Sequence, residues 1–202
     1  MEVNINLPKT ARGEKTLEKI YLAAETLFDE KGFHQTTMGE IALKAGVALG
    51  TLYIYFKDKL SLYIYILQRY SHEIRKVSAK ASQQYKSRYD QEFYGLKAWL
   101  QYIIKHRGAY RIIMETQYVC PEYFQEYYEN FAKRYHKWLK IAQDDGEIID
   151  CDLIAASYLL MGIHTFWGMK LSVFDQVRKV DDSDVEKIMK ILKNGLFTDK
   201  ET

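Results

Sequence analysis

Two short helical segments joined by a tight turn are predicted within residues 37–56, and this pairing constrains the fold more than any other feature. Thr37 and Glu40 have the spacing of a capping box, in which each side chain accepts a hydrogen bond from the other residue's backbone N–H. The helix that they open is interrupted at Gly46, and a second short helix is predicted over residues 49–55. This pattern predicts a helix-turn-helix motif.

The remainder of the chain has the periodicity of amphipathic helices. Apolar residues at positions 15–31 recur three and four apart, and Gly32 follows as a stop signal. Further helices are predicted at residues 59–81, 93–105, 110–118, 122–143, 152–173 and 183–196. Two prolines and eleven glycines supply too few turns for a sandwich or barrel. We expect an all-α chain: a three-helix helix-turn-helix domain at about 10–58, then a helical bundle over 59–202.

Composition and motif content argue against several classes of protein. Hydrophobic residues make up 48% and charged residues 28% of the chain, as in globular proteins. Two cysteines form no disulfide framework and no signal peptide is evident, so a cytoplasmic location is expected. The uncharged run between Asp152 and Lys170 is short for a bilayer and is interpreted as a buried bundle helix. No metal, nucleotide or catalytic motif occurs, so no enzyme, cofactor or metal site is predicted.

A set of residues between about positions 14 and 62 has the order and spacing of a recognisable motif. They are Ala24, Phe28, Gly32-Phe33, Thr36-Thr37-Met38-Gly39-Glu40-Ile41-Ala42, Ala45-Gly46-Val47 and Gly50-Thr51-Leu52-Tyr53-Ile54-Tyr55-Phe56-Lys57-Asp58-Lys59. This segment resembles the TetR family of transcriptional repressors. The resemblance implies a homodimer that binds a palindromic double-stranded operator, and a C-terminal domain in which a small-molecule effector weakens DNA binding.

The resemblance also implies a set of DNA-contacting residues: Thr37, Gly39, Leu49, Gly50, Thr51, Tyr53, Tyr55 and Lys59. Thr37 and Lys59 are expected at helix N-termini that bind phosphate, and the two tyrosine hydroxyls are expected to donate to phosphate. Gly50 and Thr51 would lead the recognition helix onto base edges. Each role has a structural alternative: a cap for Thr37, a core aromatic for Tyr53, a solvated lysine for Lys59.

Three positions depart from the family pattern. Ile54 stands where the family commonly has His, Leu49 where a basic residue is frequent, and Gly39 where some members have a base-reading Arg. Lys9 and Arg12 precede the first helix and are candidates for a basic arm. Residues 1–60 hold eight Lys/Arg and eight Asp/Glu, so a shallow salt dependence is predicted; a log–log slope steeper than about −8 would count against it.

Aromatic residues are abundant after residue 60, and most are expected in the core. An apolar or aromatic effector needs rigid walls with a few polar tips. The expected lining is Trp99, Ile103, Met114, Tyr118, Phe124, Phe131, His164 and Trp167. His164 is a lone histidine on an apolar helix, and such a residue is more often an ordinary core histidine. Arg107 and Arg111 are expected at the surface; if either faces inward, an anionic effector is favoured.

The resemblance assigns dimerisation to the last two helices. The expected interface residues are Leu160, Ile163, Leu171, Ile188, Ile191 and Leu192, in a two-fold four-helix bundle. Effector binding would move the helix at 59–81 and change the separation of the two recognition helices. Activation or co-repression by the effector stays open, as does a helical interaction or lipid-carrier module with a helix-turn-helix that is only scaffold.

Overall fold

The computed structural model describes residues 5–195, and over this range the chain is all-α, as predicted. The helices are α1 Ala11–Gln35, α2 Met38–Ala45, α3 Leu49–Tyr55, α4 Lys59–Ser82, α5 Arg88–Lys105, α6 Arg107–Val119, α7 Pro121–Asp144, α8 Leu153–Met169 and α9 Asp182–Asn194. A π-helical turn, Lys170–Phe174, directly continues α8. The helix end predicted at residue 196 lies outside the described residues.

Side-chain caps mark the starts of α1 and α2, at Thr10 and Thr37. Regular geometry in α1 breaks at Gly32, whose φ of 77° is strained for any other residue. At α2 both halves of the capping box form: the Glu40 N–H donates to Thr37 Oγ1 at 3.2 Å, and the Thr37 N–H donates to Glu40 Oε2 at 2.9 Å. Gly46, with φ of 67°, ends α2 in the left-handed region. The predicted turn of the helix-turn-helix motif is therefore confirmed.

The chain divides into two compact units. The first comprises the residues up to Glu73 together with Gly108–Tyr127; the second comprises Ile74–Arg107 and the residues from Tyr128 onwards. The first half of α4, most of α6 and the start of α7 thus pack with α1–α3. The domain boundary near residue 58, drawn from the sequence, remains a prediction.

The first unit has a core of apolar side chains from α1 to α4. Phe28, Ile41 and Leu52 are fully buried, one from each of the first three helices. Tyr63 of α4 is also fully buried, and its hydroxyl donates to the Ile112 carbonyl at 2.6 Å. Burial raises the pKa of Tyr63, so this phenol stays protonated and holds α4 to α6.

In the second unit α5 packs against α8 at Gly168. A Cβ atom at that position would come within 2.4 Å of the Trp99 ring, so glycine is required for this close approach. The buried His164 imidazole stacks edge-to-face on Trp99 and donates from Nδ1 to the Leu160 carbonyl at 2.9 Å. Trp99 and His164 therefore form part of the core of this unit.

Several helices differ from their predicted extents, and α5 and α8 are two of them. α5 begins at Arg88, five residues before the predicted start, because the Ser87 side chain caps it by accepting the Asp90 N–H. The single helix predicted at 152–173 changes to π geometry at Lys170, and Arg107 donates to the Ser172, Gln176 and Val177 carbonyls that follow. Within residues 5–195, no helix is both long and apolar enough to cross a bilayer.

Candidate nucleic-acid interface and cavity

The recognition helix α3 presents a mixed apolar surface. Leu52 is its buried anchor, whereas Leu49, Tyr53 and Ile54 are 45%, 49% and 62% exposed. Gly50 is also exposed, and no atom lies within 4 Å of the position that a Cβ would take there. The first turn of α3 is thus open for close approach by a partner, as a helix that enters a major groove requires.

An N-terminal segment supports the far end of α3. Ile5 forms a β-bridge with Phe56, and the Asn6 N–H donates to the Tyr55 carbonyl at 3.2 Å. The Asn6 side-chain amide donates to the Ile54 carbonyl at 3.0 Å. Two carbonyls that the helix end would leave without partners are thereby satisfied. Sequence reasoning missed this contact, because residues 6 and 54 are far apart and no local pattern pairs them.

The expected phosphate-binding hydroxyls differ in their availability. Tyr53 is half-exposed, as a phosphate donor requires, and the core alternative for it is not realised. The Tyr55 hydroxyl instead donates to the Gly13 carbonyl at 3.3 Å, and Thr37 Oγ1 donates to Glu40 Oε2 at 2.9 Å. Thr51 is partly exposed at the start of α3, and Gly39 is exposed near the start of α2. Their DNA-binding roles remain predictions.

The half-buried Lys59 side chain is hydrogen-bonded to backbone carbonyls. Its ammonium donates to the Phe33 carbonyl at 2.6 Å and the Thr36 carbonyl at 2.7 Å, and lies 4.4 Å from the centre of the Phe33 ring. Burial lowers the pKa of Lys59, and the nearby Glu115 and Glu40 carboxylates partly oppose this effect. The structure gives Lys59 the role of fixing the segment between α1 and α2; its predicted phosphate contact is untested.

The α6 carboxylate of Glu115 binds the same segment. The Phe33 N–H donates to both carboxylate oxygens, at 2.8 and 3.1 Å, directly after the break at Gly32. Arg111, one turn earlier on α6, donates to the Asp29 carbonyl, and Gly108 lies against the Asp29 side chain. Positions 108, 111 and 115 share one face of α6. The sequence carries no signal for these contacts, which join positions about eighty residues apart.

A small cavity, partly open to solvent, lies within the first unit between α4, α6 and α7. Its lining is apolar and aromatic with hydroxyl tips: Leu67, Ser71, Ile113, Thr116, Tyr123, Phe124 and Tyr127. The Thr116 hydroxyl donates to the Ile112 carbonyl at 2.9 Å. No lining side chain carries a charge at neutral pH.

The expected effector lining coincides with this cavity only at Phe124. Tyr118 is 78% exposed on α6, so it contributes to the surface instead. Met114 is half-buried in the first unit, whereas Trp99, Ile103, Phe131, His164 and Trp167 belong to the second. Of the two arginines expected at the surface, Arg111 is exposed and Arg107 is half-buried, and both guanidinium groups donate to backbone carbonyls.

The expected dimer residues are unevenly exposed. Leu171 is 3% exposed, so it presents almost no surface to a partner. Ile191 is 48% exposed, and Leu160, Ile163, Ile188 and Leu192 are half-buried. The most exposed apolar side chains of α8 and the π-turn are Ile154, Tyr158, Leu159, Phe166, Val173 and Phe174. The interface assignment remains a prediction, and the exposed apolar residues of α8 and the π-turn are further candidates for it.

Comparison with known proteins identifies the N-terminal segment. Residues 20–66 match the family described as bacterial regulatory proteins, tetR family. The HTH-type transcriptional regulator SAR2658 of Staphylococcus aureus is 29% identical over 127 residues, which are 63% of this chain and 69% of that protein. The HTH-type transcriptional repressor BepR of Brucella suis is 46% identical over 59 residues, 29% of this chain and 28% of that one.

The fold matches solved structures over most of its length. FadR from Bacillus subtilis, solved in complex with stearoyl-CoA, superposes with a TM-score of 0.76 at 20% identity. The superposition covers 89% of this chain and 99% of that one. This superposition shows the shared fold, and the family match over residues 20–66 confirms the resemblance of the N-terminal segment.

Proposed function

We propose that this chain, a transcriptional regulator of the TetR family, represses transcription in the cytoplasm by binding a palindromic operator as a homodimer. A small uncharged effector that binds the cavity of the first unit releases the protein from its operator. The observation that carries the proposal is α3: a helix anchored at Leu52, with its first turn open and its last carbonyls fixed by Asn6. Such a helix is suited to enter a major groove without reorganisation.

The apolar face of α8 supports the homodimer. Ile154, Leu159 and Phe166 are each at least 60% exposed, on a helix that carries no Asp, Glu, Lys or Arg. Contiguous exposed apolar surface of this kind marks interaction sites. In a two-fold dimer the same face meets itself, which gives the α8 side chains a partner and sets the separation of the two α3 helices.

The cavity chemistry supports an uncharged effector of modest size. The aromatic walls formed by Tyr123, Phe124 and Tyr127 suit an apolar or aromatic molecule. The FadR complex raises an acyl-CoA as a second candidate, but its phosphates need cations. The cavity lining holds none, and the Arg107 and Arg111 guanidinium groups already donate to carbonyls.

The two faces of α6 connect the cavity to the helix-turn-helix motif. Ile113 and Thr116 line the cavity, whereas Arg111 and Glu115 bind the end of α1. Because a helix moves as a stiff element, an effector that displaces Ile113 or Thr116 also displaces the Glu115 carboxylate from the Phe33 N–H. A coupling of about 1–3 kcal/mol, or 5–150-fold in affinity, is sufficient for regulation.

The DNA-binding test is an anisotropy titration of the full-length protein. Duplexes from the region upstream of its own coding sequence are compared with shuffled duplexes. We expect saturable binding of the native sequence, and about tenfold weaker binding by Tyr53→Phe, which lacks one charge-assisted hydrogen bond to phosphate. Tyr89→Phe, at an exposed tyrosine of α5, is the control. Equal binding of native and shuffled duplexes by folded protein contradicts the proposal.

The effector test uses indole as an uncharged aromatic probe and stearoyl-CoA as an anionic one. We expect indole at millimolar concentration to lower operator affinity and stearoyl-CoA to leave it unchanged. Ser71→Leu, which fills part of the cavity, should remove the indole response, whereas Tyr118→Leu on the exposed surface of α6 should retain it. Release by stearoyl-CoA alone, or by neither probe, contradicts the effector assignment.

A further inference from the structure

The reading surface of α3 contains no charged or amide side chain. From Ala45 to Phe56 the sequence is Ala-Gly-Val-Ala-Leu-Gly-Thr-Leu-Tyr-Ile-Tyr-Phe. Leu49, Tyr53 and Ile54 supply its exposed side chains, and Gly50 opens the backbone between them. Residues 49 and 53, like 50 and 54, are four apart, so the four positions form one continuous strip on the helix.

The neighbouring lysines do not replace the missing charge. Lys44, at the end of α2, lies 3.9 Å from Glu30, and the Lys59 ammonium is bound to the Phe33 and Thr36 carbonyls. Lys57 follows α3 beyond its C-terminal end, whereas base edges are contacted by the N-terminal residues of a recognition helix. The base-facing chemistry of α3 is therefore that of Leu49, Gly50 and Thr51.

The four bases demand different side chains in the major groove. Guanine is read by Arg or Lys, adenine by Asn or Gln, and the cytosine amino group by Asp or Glu. Thymine alone presents a methyl group, which apolar side chains and the threonine methyl contact. Of these chemistries α3 offers only the last, together with single hydrogen bonds from hydroxyl groups.

We infer that α3 selects its operator through thymine C5-methyl groups, with Leu49 and Thr51 as the residues that determine specificity. The inference rests on the proposed function, since it names the class of DNA sequence that this reader takes. Each operator half-site then carries thymines, and not guanines, at the base pairs facing the first turn of α3. Gly50 allows the backbone to approach these methyl groups.

The structure also predicts how changes at these positions behave. Gly50→Ala meets no atom of the protein within 4 Å, so it leaves the fold intact and adds a methyl group only towards the DNA. Leu49→Ala removes apolar contact at an exposed position and should likewise leave the thermal midpoint unchanged. Leu22→Ala, at a leucine of α1 that is 50% exposed, is the matched control.

The experiment selects binding sites from a random-sequence duplex library with the full-length protein. Thymines of the selected half-site are then replaced one at a time by deoxyuridine, which removes only the methyl group. We expect about a fourfold loss of affinity for each facing methyl, the value of one buried methyl group. Leu49→Ala should be insensitive to at least one of these replacements, and Leu22→Ala should behave as wild type. Where a facing thymine is changed to cytosine, 5-methylcytosine should recover affinity relative to cytosine.

The outcomes separate this inference from the proposed function. Selected half-sites that have invariant guanines opposite α3, or affinity that is unchanged by every deoxyuridine replacement, overturn the thymine inference and leave the DNA-binding function intact. Failure of folded protein to enrich any sequence overturns both.

Discussion

Replacement of Lys59 by Met distinguishes two roles for this side chain. If Lys59 fixes the segment between α1 and α2, as its bonds to the Phe33 and Thr36 carbonyls indicate, the variant loses stability. If it binds a phosphate, as the family resemblance implies, the variant keeps its stability and loses part of the salt dependence of DNA binding. The two roles therefore predict different measurements on one protein.

The structure sets the size of each effect. Two hydrogen bonds to a charged donor contribute about 1.5–3 kcal/mol each, or about 3–6 kcal/mol in total. Because Lys59 is only half-buried, water replaces the ammonium on both carbonyls, and we expect about 2 kcal/mol to be lost. With a denaturant slope of about 2 kcal/mol per molar, the urea midpoint falls by about 1 M. A phosphate contact would instead reduce the log–log salt slope by about 0.9 for each subunit.

Urea unfolding of the full-length protein, followed by amide exchange of residues in the first unit, measures the first effect. Operator titrations at several salt concentrations measure the second. Lys57→Met, at an exposed lysine two residues earlier, is the matched control and should leave the midpoint unchanged. A Lys59→Met midpoint within 0.2 M of wild type (roughly 0.4 kcal/mol at that slope), with a reduced salt slope, refutes the assignment of Lys59 to the α1–α2 segment.

Three further predictions follow from the same structure. Hydrogen bonds from Lys31 and then from Thr37 lower the pKa of Glu40 to about 2, so its contribution to stability is present above pH 4.5 and is lost as the pH falls towards 2; thermal unfolding of Glu40→Gln should lack this part of the acid dependence, and an unchanged profile would contradict it. Burial lowers the pKa of His164, so the folded protein binds fewer protons there than the unfolded chain, and stability should fall as the pH drops below about 6.5; His164→Gln should flatten calorimetric midpoints between pH 5 and 7, and equal slopes would refute the buried neutral imidazole. In Gly32→Ala the alanine must adopt a φ of 77°, and its Cβ lies 2.8 Å from Glu115 Oε1, so the free energy of unfolding in urea should fall by more than about 1 kcal/mol. Gly50→Ala is the control, and equal urea midpoints for the two variants would contradict the strain.

The helix-turn-helix motif was predictable because its signals are local. Thr37 and Glu40 are three residues apart, and Gly46 is needed where the chain adopts a positive φ. Each signal acts within one or two turns of the chain, so the sequence order is sufficient to find it. Leu52 is the buried anchor of α3, and its position within that short helix is also a local feature.

The cavity was not predictable in the same way. Aromatic residues are abundant in the second half of the chain, and which of them line a space depends on how helices distant in sequence pack. Phe124 and Trp99 are both aromatic residues of predicted helices, yet Phe124 lines the cavity and Trp99 fills the core against Gly168. Likewise α8 is apolar on all sides, so the hydropathy pattern does not indicate that Phe166 is exposed or that Leu171, in the π-helical turn that continues α8, is buried.

The hydrogen bonds at α2 determine how a phosphate can be bound there. The Thr37 hydroxyl and N–H both donate to Glu40, whose charge is offset by the Lys31 ammonium at 2.6 Å. A phosphate at the start of α2 would therefore be bound by the N–H groups of the first turn, and Gly39 has no side chain to obstruct it. Helix-end N–H groups bind phosphate without adding a side-chain cation, so such a contact supports a shallow salt dependence. An operator complex built from these N–H groups and an uncharged α3 would depend on shape and methyl contacts more than on charge.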